Sequence, residues 1–151
     1  MRLYDGLSNR DVADWHKDLA LLTESLRLSS FPERLCELLG KIVNFQCSIL
    51  MTYKKGHAPI LLYDNYSPEH RVKVLDKYLR GMYVLDPFYT AISDNTTSGI
   101  FRLKELAPDS FEQSDYYQDY YRALKLDDEV GIFIDLPDDV TLIVSLGRDE
   151  D

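Results

Sequence analysis

The sequence predicts an α/β protein of the α+β type, an α-β-α sandwich with a central antiparallel sheet of about five strands and helices on both faces. Segments with apolar residues at helical spacing alternate with short, β-branched apolar runs. Two pairs of these runs are separated only by turn residues, which is typical of antiparallel hairpins. A length of 151 residues suits one domain with its own core. We therefore expect residues 1–151 to form a single domain.

Two helices are predicted before the first strand. Ser8 or Asn9 can cap the first helix. Ser30, with Glu33 three residues later, predicts a capping box that opens the second helix. The first helix is expected over about 11–28 and the second over about 31–43, with Leu35, Leu38, Leu39 and Ile42 as the buried stripe of the second.

A hairpin and a third helix follow. The apolar runs Cys47–Tyr53 and Ile60–Tyr63 are joined by a turn that contains Gly56, which predicts two paired strands. The sequence Ser67-Pro68 is a strong helix start, because serine caps helices well and proline is tolerated at the first helical position. The expected buried stripe of this helix is Val72, Leu75, Leu79 and Met82.

The stretch from Tyr78 to Ile92 combines several aromatic residues with one Asp-Pro pair. Proline disfavours helical angles at the residue before it, so Pro87 should begin a new helix with Asp86 as its N-cap. A second interpretation is that an aromatic junction with one fixed carboxylate orients the polar head of a ligand while apolar walls bury its body. The sequence alone leaves both interpretations open.

The last third of the chain predicts a strand, a helix and the clearest hairpin of the sequence. The strand is expected at Ile100–Leu103, and Ser110 or Ser114 should cap the helix that follows Pro108. That helix is expected to carry a broad aromatic face made by Tyr116, Tyr117, Tyr120 and Tyr121, with about half of these rings reaching solvent. The hairpin is expected to pair Val130–Leu136 with Val140–Leu146 across Pro137, Asp138 and Asp139. Sensor domains of the PAS and GAF kind have this order of elements.

Composition excludes several functional classes. A formal net charge of -9 and a pI near 4.7 argue against direct binding to nucleic acid, which requires a basic surface. Cys36 and Cys47 lack disulfide or metal spacing, so we expect reduced, buried thiols and a cytoplasmic protein. No apolar run approaches the length of a membrane span, so no membrane contact is expected. The acidic runs 127–129, 138–139 and 149–151 are interpreted as solvated turns or ends.

Catalytic and metal-binding motifs were not found. The sequence has no nucleophile elbow, no phosphate-binding glycine loop and no zinc spacing among His16, His57 and His70. The carboxylate pairs fall in turn-like runs, where a desolvated acid with a raised pKa is not expected. We therefore expect no enzyme activity, no metal and no cofactor, with an enzyme kept as the weakest of three hypotheses.

Several segments resemble the N-terminal regulatory half of LuxR-type helix-turn-helix transcriptional regulators. They are YLRGMYVLDPFYTAI, GIFRLKELAP, SDYYQDYYRALKL and DDEVGIFIDLPDDVTLIVSLGRD, within roughly residues 31–148. The resemblance implies a sandwich that binds a small effector between sheet and helices, and a dimer whose C-terminal helix-turn-helix reads DNA. No basic helical segment follows Leu146, so we interpret this chain as the regulatory portion, either cut from a longer protein or naturally short.

The resemblance also assigns roles to residues. In quorum-sensing members the aspartate before proline accepts a hydrogen bond from the amide of an acyl-homoserine lactone, and Asp86 matches it. Those members carry a tryptophan thirteen residues and a tyrosine nine residues before this aspartate, where this chain has Lys73 and Lys77. The expected effector is therefore a small molecule other than a standard acyl-homoserine lactone. The proposed ligand-binding residues are Asp86 as anchor, with Tyr53, Tyr63, Tyr78, Phe88 and Tyr116 as walls. The alternative, from another functional class, is a dimerisation or protein-interaction module with a filled core and no ligand.

Overall fold

The computed structural model describes residues 9–149. The chain divides into two compact units, residues 1–44 and residues 45–151. The described residues of the first unit include two helices, and the second unit contains the sheet.

The N-terminal unit contains two helices, α1 (Asn9–Glu24) and α2 (Phe31–Leu39). The predicted cap Ser8 and the side chain of Asn9 lie outside the described residues. The predicted capping box is wrong: Ser30 has helical backbone angles, φ -80 and ψ -7, and its side chain makes no capping hydrogen bond. The reason is that the preceding chain already turns, since the N–H of Leu28 donates to the carbonyl of Ser25, whereas an N-cap requires extended angles.

Helices α1 and α2 also end earlier than predicted, at Glu24 and Leu39. Of the predicted stripe on α2, Leu38 is buried and Leu35 and Leu39 are half-buried. Ile42 lies beyond the helix and is 61% exposed. The helical spacing of apolar residues therefore continues past the point where the helix stops.

The C-terminal unit is built on a five-stranded antiparallel sheet, as predicted. Its spatial order is β2-β1-β5-β4-β3, and every neighbouring pair is antiparallel. Both predicted hairpins are confirmed. Asp138 and Asp139 form the tight turn of the second hairpin at φ 63 and 57, a conformation that aspartate tolerates. The strands are β1 (Cys47–Lys54), β2 (Ile60–Asp64), β3 (Gly99–Arg102), β4 (Leu126–Leu136) and β5 (Val140–Asp149).

Strand β4 begins earlier than predicted, and this changes the interpretation of one acidic run. Asp127, Asp128 and Glu129 were expected in a solvated turn, yet they lie within β4. Arg102 pairs with Asp128 at 2.7 Å and Arg148 pairs with Asp127 at 3.2 Å. The two arginines lie on the strands that flank β4, and these ion pairs allow an acidic segment to form the start of β4.

Four α-helices of the described chain belong to the C-terminal unit: α3 (Pro68–Leu79), α4 (Pro87–Ser93), α5 (Leu103–Leu106) and α6 (Asp115–Asp119). The predicted start of α3 is confirmed, because the hydroxyl of Ser67 accepts a hydrogen bond from the N–H of His70 at 3.3 Å. The predicted stripe is partly wrong. Leu75 is buried as predicted and Leu79 and Met82 are half-buried, but Val72 is 62% exposed, and Val74 and Tyr78 complete the buried face.

The tyrosine-rich segment forms three short helical pieces rather than one helix. A 3-10 turn at Phe111–Gln113 precedes α6, which Ser114 caps, and a second 3-10 turn covers Tyr121–Leu124. The break at Tyr120, with φ -133 and ψ -65, redirects the chain. As a result Tyr116, Tyr120 and Tyr121 are all buried, where an unbroken helix would have left about half of the rings in solvent.

Helix α4 packs closely on strand β4 because Gly131 has no side chain. A Cβ at this position would lie 2.9 Å from the ring of Phe88 and 2.9 Å from the ring of Phe133. Those two rings meet edge to face, with centroids 5.5 Å apart. This contact holds the start of α4, and therefore Asp86, against the sheet.

Candidate functional site

A cavity lies on the sheet face that the helices of the C-terminal unit cover. Register places alternate residues of three strands on this face: Ile49 opposes Ser145, Met51 opposes Ile143, and Glu129 opposes Gly147. Helix α3, the Asp86 junction and the α6 segment supply the other side. The wall is formed by Cys47, Ile49, Met51, Tyr53, Tyr66, Leu75, Tyr78, Asp86, Phe88, Tyr116, Tyr120, Leu124, Leu126, Glu129, Ile143 and Ser145.

The space inside the cavity is small. The centre of a water-sized sphere can occupy about 30 Å³ of it, and one water requires about 10–15 Å³ by the same measure. The wall therefore leaves room for a compact polar group, and a larger ligand requires side chains to move or the body of the ligand to lie outside.

Asp86 accepts hydrogen bonds on both of its carboxylate oxygens. Its residue is 5% exposed. Its Oδ1 accepts the N–H of Phe88 at 2.8 Å, which confirms the predicted N-cap of α4, and its Oδ2 accepts the hydroxyl of Tyr78 at 2.6 Å. The hydroxyls of Tyr78 and Tyr53 lie 2.8 Å apart. Because Tyr78 has one proton and gives it to Asp86, Tyr53 is the donor in that second bond.

Burial sets the protonation of this network. Desolvation raises the pKa of Asp86 to about 6, although hydrogen bonds from Tyr78, Phe88 and Tyr116 oppose the shift. Burial also raises the pKa of Tyr53, Tyr78 and Tyr116 well above the ordinary tyrosine value. These hydroxyls therefore remain neutral donors across the physiological range.

Glu129 is a second carboxylate in the same wall. It accepts a hydrogen bond from the hydroxyl of Ser145 on the neighbouring strand. Desolvation, followed by the charge of Asp86, raises the pKa of Glu129 to about 7, while hydrogen bonds from Ser145 and Tyr121 oppose the shift. The expectation that no acid here has a raised pKa is therefore wrong, because Glu129 occupies a strand beneath packed helices rather than a turn.

The structure brings most of the proposed ligand-binding residues together. Asp86, Tyr53, Tyr78, Phe88 and Tyr116 all line the cavity, and Tyr63 does not. The pairing between β1 and β2 shifts by one residue at a bulge, so Tyr63 opposes Leu50 while Leu61 opposes Met51. Paired residues share a sheet face, and Tyr63 is consequently directed to the face opposite the cavity.

Several wall residues were not identified from the sequence. Strand alternation could have found Ile49 and Met51, since residues two apart on a strand share a face and these two are spaced so from Tyr53. Ile143 and Ser145 have the same spacing on the last strand. Nothing in the sequence pattern pointed to Glu129 or to Tyr66, because the first was assigned to a turn and the second follows a strand end.

Lys73 and Lys77, at the positions where the quorum-sensing proteins that the sequence resembles have aromatic residues, do not line the cavity. Lys73 and Lys77 are both exposed on α3, and the ammonium of Lys77 donates to the carbonyl of Asp119. The inward position of this helix is occupied by Tyr78, one residue later.

A surface groove adjoins the cavity. It has a volume of about 530 Å³ and shares four wall residues with the cavity, namely Cys47, Tyr66, Leu124 and Leu126. Polar residues, including Asn65, His70, Lys125 and Asp149, form its outer part. The cavity and the groove are thus neighbouring compartments separated by shared side chains.

Two searches of the described residues gave negative results. Between residues 9 and 149, no three histidine, cysteine, aspartate or glutamate side chains are grouped so that they could hold a metal ion. In the same part of the chain, every helix is too short or too polar to cross a bilayer.

No protein-family model matches the sequence, and no curated protein matches it either. Solved structures do match. The ligand-binding domain of VqsR from Pseudomonas aeruginosa is 27% identical with a TM-score of 0.78, over 91% of this chain and 82% of that one. SdiA from Escherichia coli is 16% identical with a TM-score of 0.63, over 93% of this chain and 57% of that one.

SdiA in complex with octanoyl-rac-glycerol is 18% identical with a TM-score of 0.61, over 94% of this chain and 56% of that one. The chain therefore spans a little over half the length of SdiA. At 16% and 18% identity, the SdiA matches support the fold alone. The VqsR domain is more similar in sequence, at 27% identity. This chain has the fold of the ligand-binding domains of LuxR-type regulators, and the resemblance predicted from its sequence is confirmed.

Proposed function

We propose that this chain is the ligand-responsive regulatory domain of a LuxR-type bacterial transcriptional regulator. A small effector binds in the cavity beside Asp86 and controls DNA binding through dimerisation of the regulator. The observation that carries this proposal is a buried carboxylate, held by a tyrosine network, in a cavity of a fold shared with the VqsR ligand-binding domain. Effector binding would act by stabilising one conformation of the domain.

The effector proposed is not a standard acyl-homoserine lactone. The family positions that would present an indole and a phenol carry Lys73 and Lys77, which lie on the exposed side of α3. A lactone carbonyl buried without its donor would lose about 1–3 kcal/mol. SdiA forms a complex with octanoyl-rac-glycerol, which indicates that this fold can accept an amphiphile with another head group.

The alternative function, a dimerisation or protein-interaction module without a ligand, is favoured by two observations. The space inside the cavity is about 30 Å³, and Asp86 already has protein donors on both oxygens. A core this full can serve as a scaffold for contacts between proteins.

Native mass spectrometry of the purified domain, followed by thermal unfolding with a panel of amphiphiles, separates the two functions. A ligand at about 100 times its Kd adds about 2.7 kcal/mol of stability, which for this size raises Tm by roughly 5–11 °C. The panel includes acyl-homoserine lactones and 1-octanoylglycerol. The sensor role predicts a co-purified mass or a shift of this size with at least one amphiphile.

The variant Asp86→Asn tests the anchor while retaining a good N-cap residue. A ligand-induced shift that disappears in Asp86→Asn, with the ligand-free Tm nearly unchanged, supports the proposed site. Native mass spectrometry also reports whether the domain is a dimer. Dimers with no bound mass and no shift across the panel would instead support the interaction module.

A further inference from the structure

The charge balance of the cavity wall indicates what kind of head group it accepts. Asp86 and Glu129 both line the cavity, and none of the wall residues in the described structure is a lysine, arginine or histidine. Two carboxylates that share a low-dielectric site repel each other, and neither has a cation to offset its desolvation. A positively charged ligand group would offset both the repulsion between the carboxylates and their desolvation.

The two carboxylates approach the cavity from opposite sides. Asp86 comes from the junction before α4, above the sheet, and Glu129 comes from β4 within the sheet. A group between the helices and the sheet therefore has an acceptor on each side. The small space of the cavity suits a compact head such as an ammonium, and the adjoining groove, which shares Leu124 and Leu126 with the cavity, can receive an aliphatic body.

Tyrosine rings form much of the remaining wall. The rings of Tyr116 and Tyr120 have centroids 5.4 Å apart, and those of Tyr78 and Tyr120 are 5.7 Å apart. Tyr53 and Tyr66 also line the cavity. Aromatic faces attract cations through the ring quadrupole, and the attraction increases when water is excluded. Carboxylates combined with aromatic faces are the elements that recognise ammonium groups.

We propose that the effector of this domain is a small amphiphile that carries a protonated amine, with the ammonium held between Asp86 and Glu129 against the tyrosine rings. This inference rests on the proposed sensor function and specifies its ligand class. Primary amines have a pKa near 10.4 and are charged at neutral pH. The overall net charge of -9 favours the approach of cations over anions.

The test compares octylamine with 1-octanol, which share a chain and differ in the head group. Isothermal titration calorimetry at pH 7.5 measures both against the unmodified domain, Glu129→Gln and Asp138→Asn. Glu129→Gln removes the charge and keeps an acceptor of similar shape. Asp138→Asn removes one charge from the exposed β4–β5 turn, and asparagine tolerates the φ of 63 at that position.

Octylamine is expected to bind the unmodified domain at least ~10-fold more tightly than 1-octanol, since a charge-assisted hydrogen bond is about twice as strong as a neutral one. Glu129→Gln should lower the affinity for octylamine at least ~10-fold and change the affinity for 1-octanol less than about 3-fold. Asp138→Asn should leave both affinities unchanged.

Two results overturn the amine assignment while the sensor function survives. One is tighter binding of 1-octanol or 1-octanoylglycerol than of octylamine. The other is an equal loss of affinity for octylamine and 1-octanol in Glu129→Gln, which would mean that the charge of Glu129 does not recognise the ammonium group. If neither octyl compound binds, the amine assignment fails. The sensor function fails with it only if the wider amphiphile panel and native mass spectrometry are also negative.

Discussion

Asp86 and Glu129 lie in the wall of one cavity, but the fold holds them in different ways. Asp86 is fixed by a backbone N–H and by the hydroxyl of Tyr78, and the backbone donor belongs to the first turn of α4. Glu129 is held by hydroxyl groups, with Ser145 as its nearest donor. The N–H groups in the first turn of a helix have no partner within the helix, whereas a serine hydroxyl can rotate toward another partner.

This difference separates two roles for the carboxylates of the cavity. Replacement of Asp86 by alanine leaves the start of α4 uncapped and the Tyr78 hydroxyl without its acceptor, so Asp86 supports the fold as well as any ligand. Glu129 contributes a charge that the fold itself does not require. Burial and the charge of Asp86 raise its pKa to about 7, which means that the folded protein holds this charge at a cost. The following predictions test that contrast.

The largest expected effect is that of Asp86→Ala on stability. Loss of an N-cap costs about 1 kcal/mol, and a buried hydroxyl left without its acceptor adds about 1–3 kcal/mol. The free energy of unfolding should fall by about 2–4 kcal/mol in total. Urea denaturation at pH 5 measures this, because at that pH most Asp86 is protonated, given its pKa of about 6, and the cost of a buried charge does not obscure the result.

Ser67→Ala is the matched control, since Ser67 caps α3 through one hydrogen bond at an exposed position. It should cost about 1 kcal/mol. Equal losses in the two variants would mean that Asp86 acts only as a cap and that the contrast with Glu129 is weaker than the structure indicates.

The second prediction concerns the pH dependence of stability. The folded pKa of Glu129, about 7, lies above the ordinary value of 4.5, so the folded state binds more protons than the unfolded state between these values. The contribution of Glu129 to the free energy of unfolding is therefore fully present below about pH 4.5 and is lost as pH rises through about 7. Asp86 behaves in the same way over a lower range, from its ordinary 3.8 to about 6.

Glu129→Gln removes this loss. The stability of Glu129→Gln relative to the unmodified domain should therefore increase, on the order of 2–3 kcal/mol, between pH 4 and pH 8. Urea denaturation at several pH values measures the difference. Asp138→Asn, at the exposed turn, should follow the curve of the unmodified domain. Parallel curves for Glu129→Gln and the unmodified domain would show that Glu129 is solvated in both states.

The same contrast explains what the sequence could and could not predict. Asp86 is marked by local signals, because proline at the next position restricts the backbone and defines a helix start. The hairpins were predicted from turn residues between short apolar runs, and the number of strands followed. These features depend on neighbours in the chain, which the sequence shows directly.

Glu129 depends on contacts that the sequence does not show. Its acidic neighbours are typical of a turn, and only pairing with β5 and ion pairs to Arg102 and Arg148 place them in a strand. Tyr63 was proposed as a wall of the cavity because it lies on the first hairpin. A bulge in the pairing between β1 and β2 directs it to the other face of the sheet. In both cases a pairing partner, rather than local propensity, decided the outcome.

The smallest expected effect is that of Tyr78→Phe, which tests the link between the tyrosine network and Asp86. This change removes the 2.6 Å hydrogen bond to Asp86 and leaves the Tyr53 hydroxyl without its acceptor on Tyr78. Stability at pH 5 should fall by about 1–2 kcal/mol.

The pKa of Asp86 should rise above its value of about 6 in the same variant, because the bond from Tyr78 lowers it. Carboxyl chemical shifts followed by NMR through the titration measure this pKa directly. Tyr53→Phe serves as the control, since it removes a hydroxyl of the same network but retains the bond between Tyr78 and Asp86. If the pKa of Asp86 rises in Tyr78→Phe and not in Tyr53→Phe, the Tyr78 hydroxyl is a donor that lowers it. An unchanged pKa in both would mean that burial and the remaining donors, Phe88 and Tyr116, control the pKa of Asp86 without the Tyr78 hydroxyl, and the carboxylate would not depend on the tyrosine network.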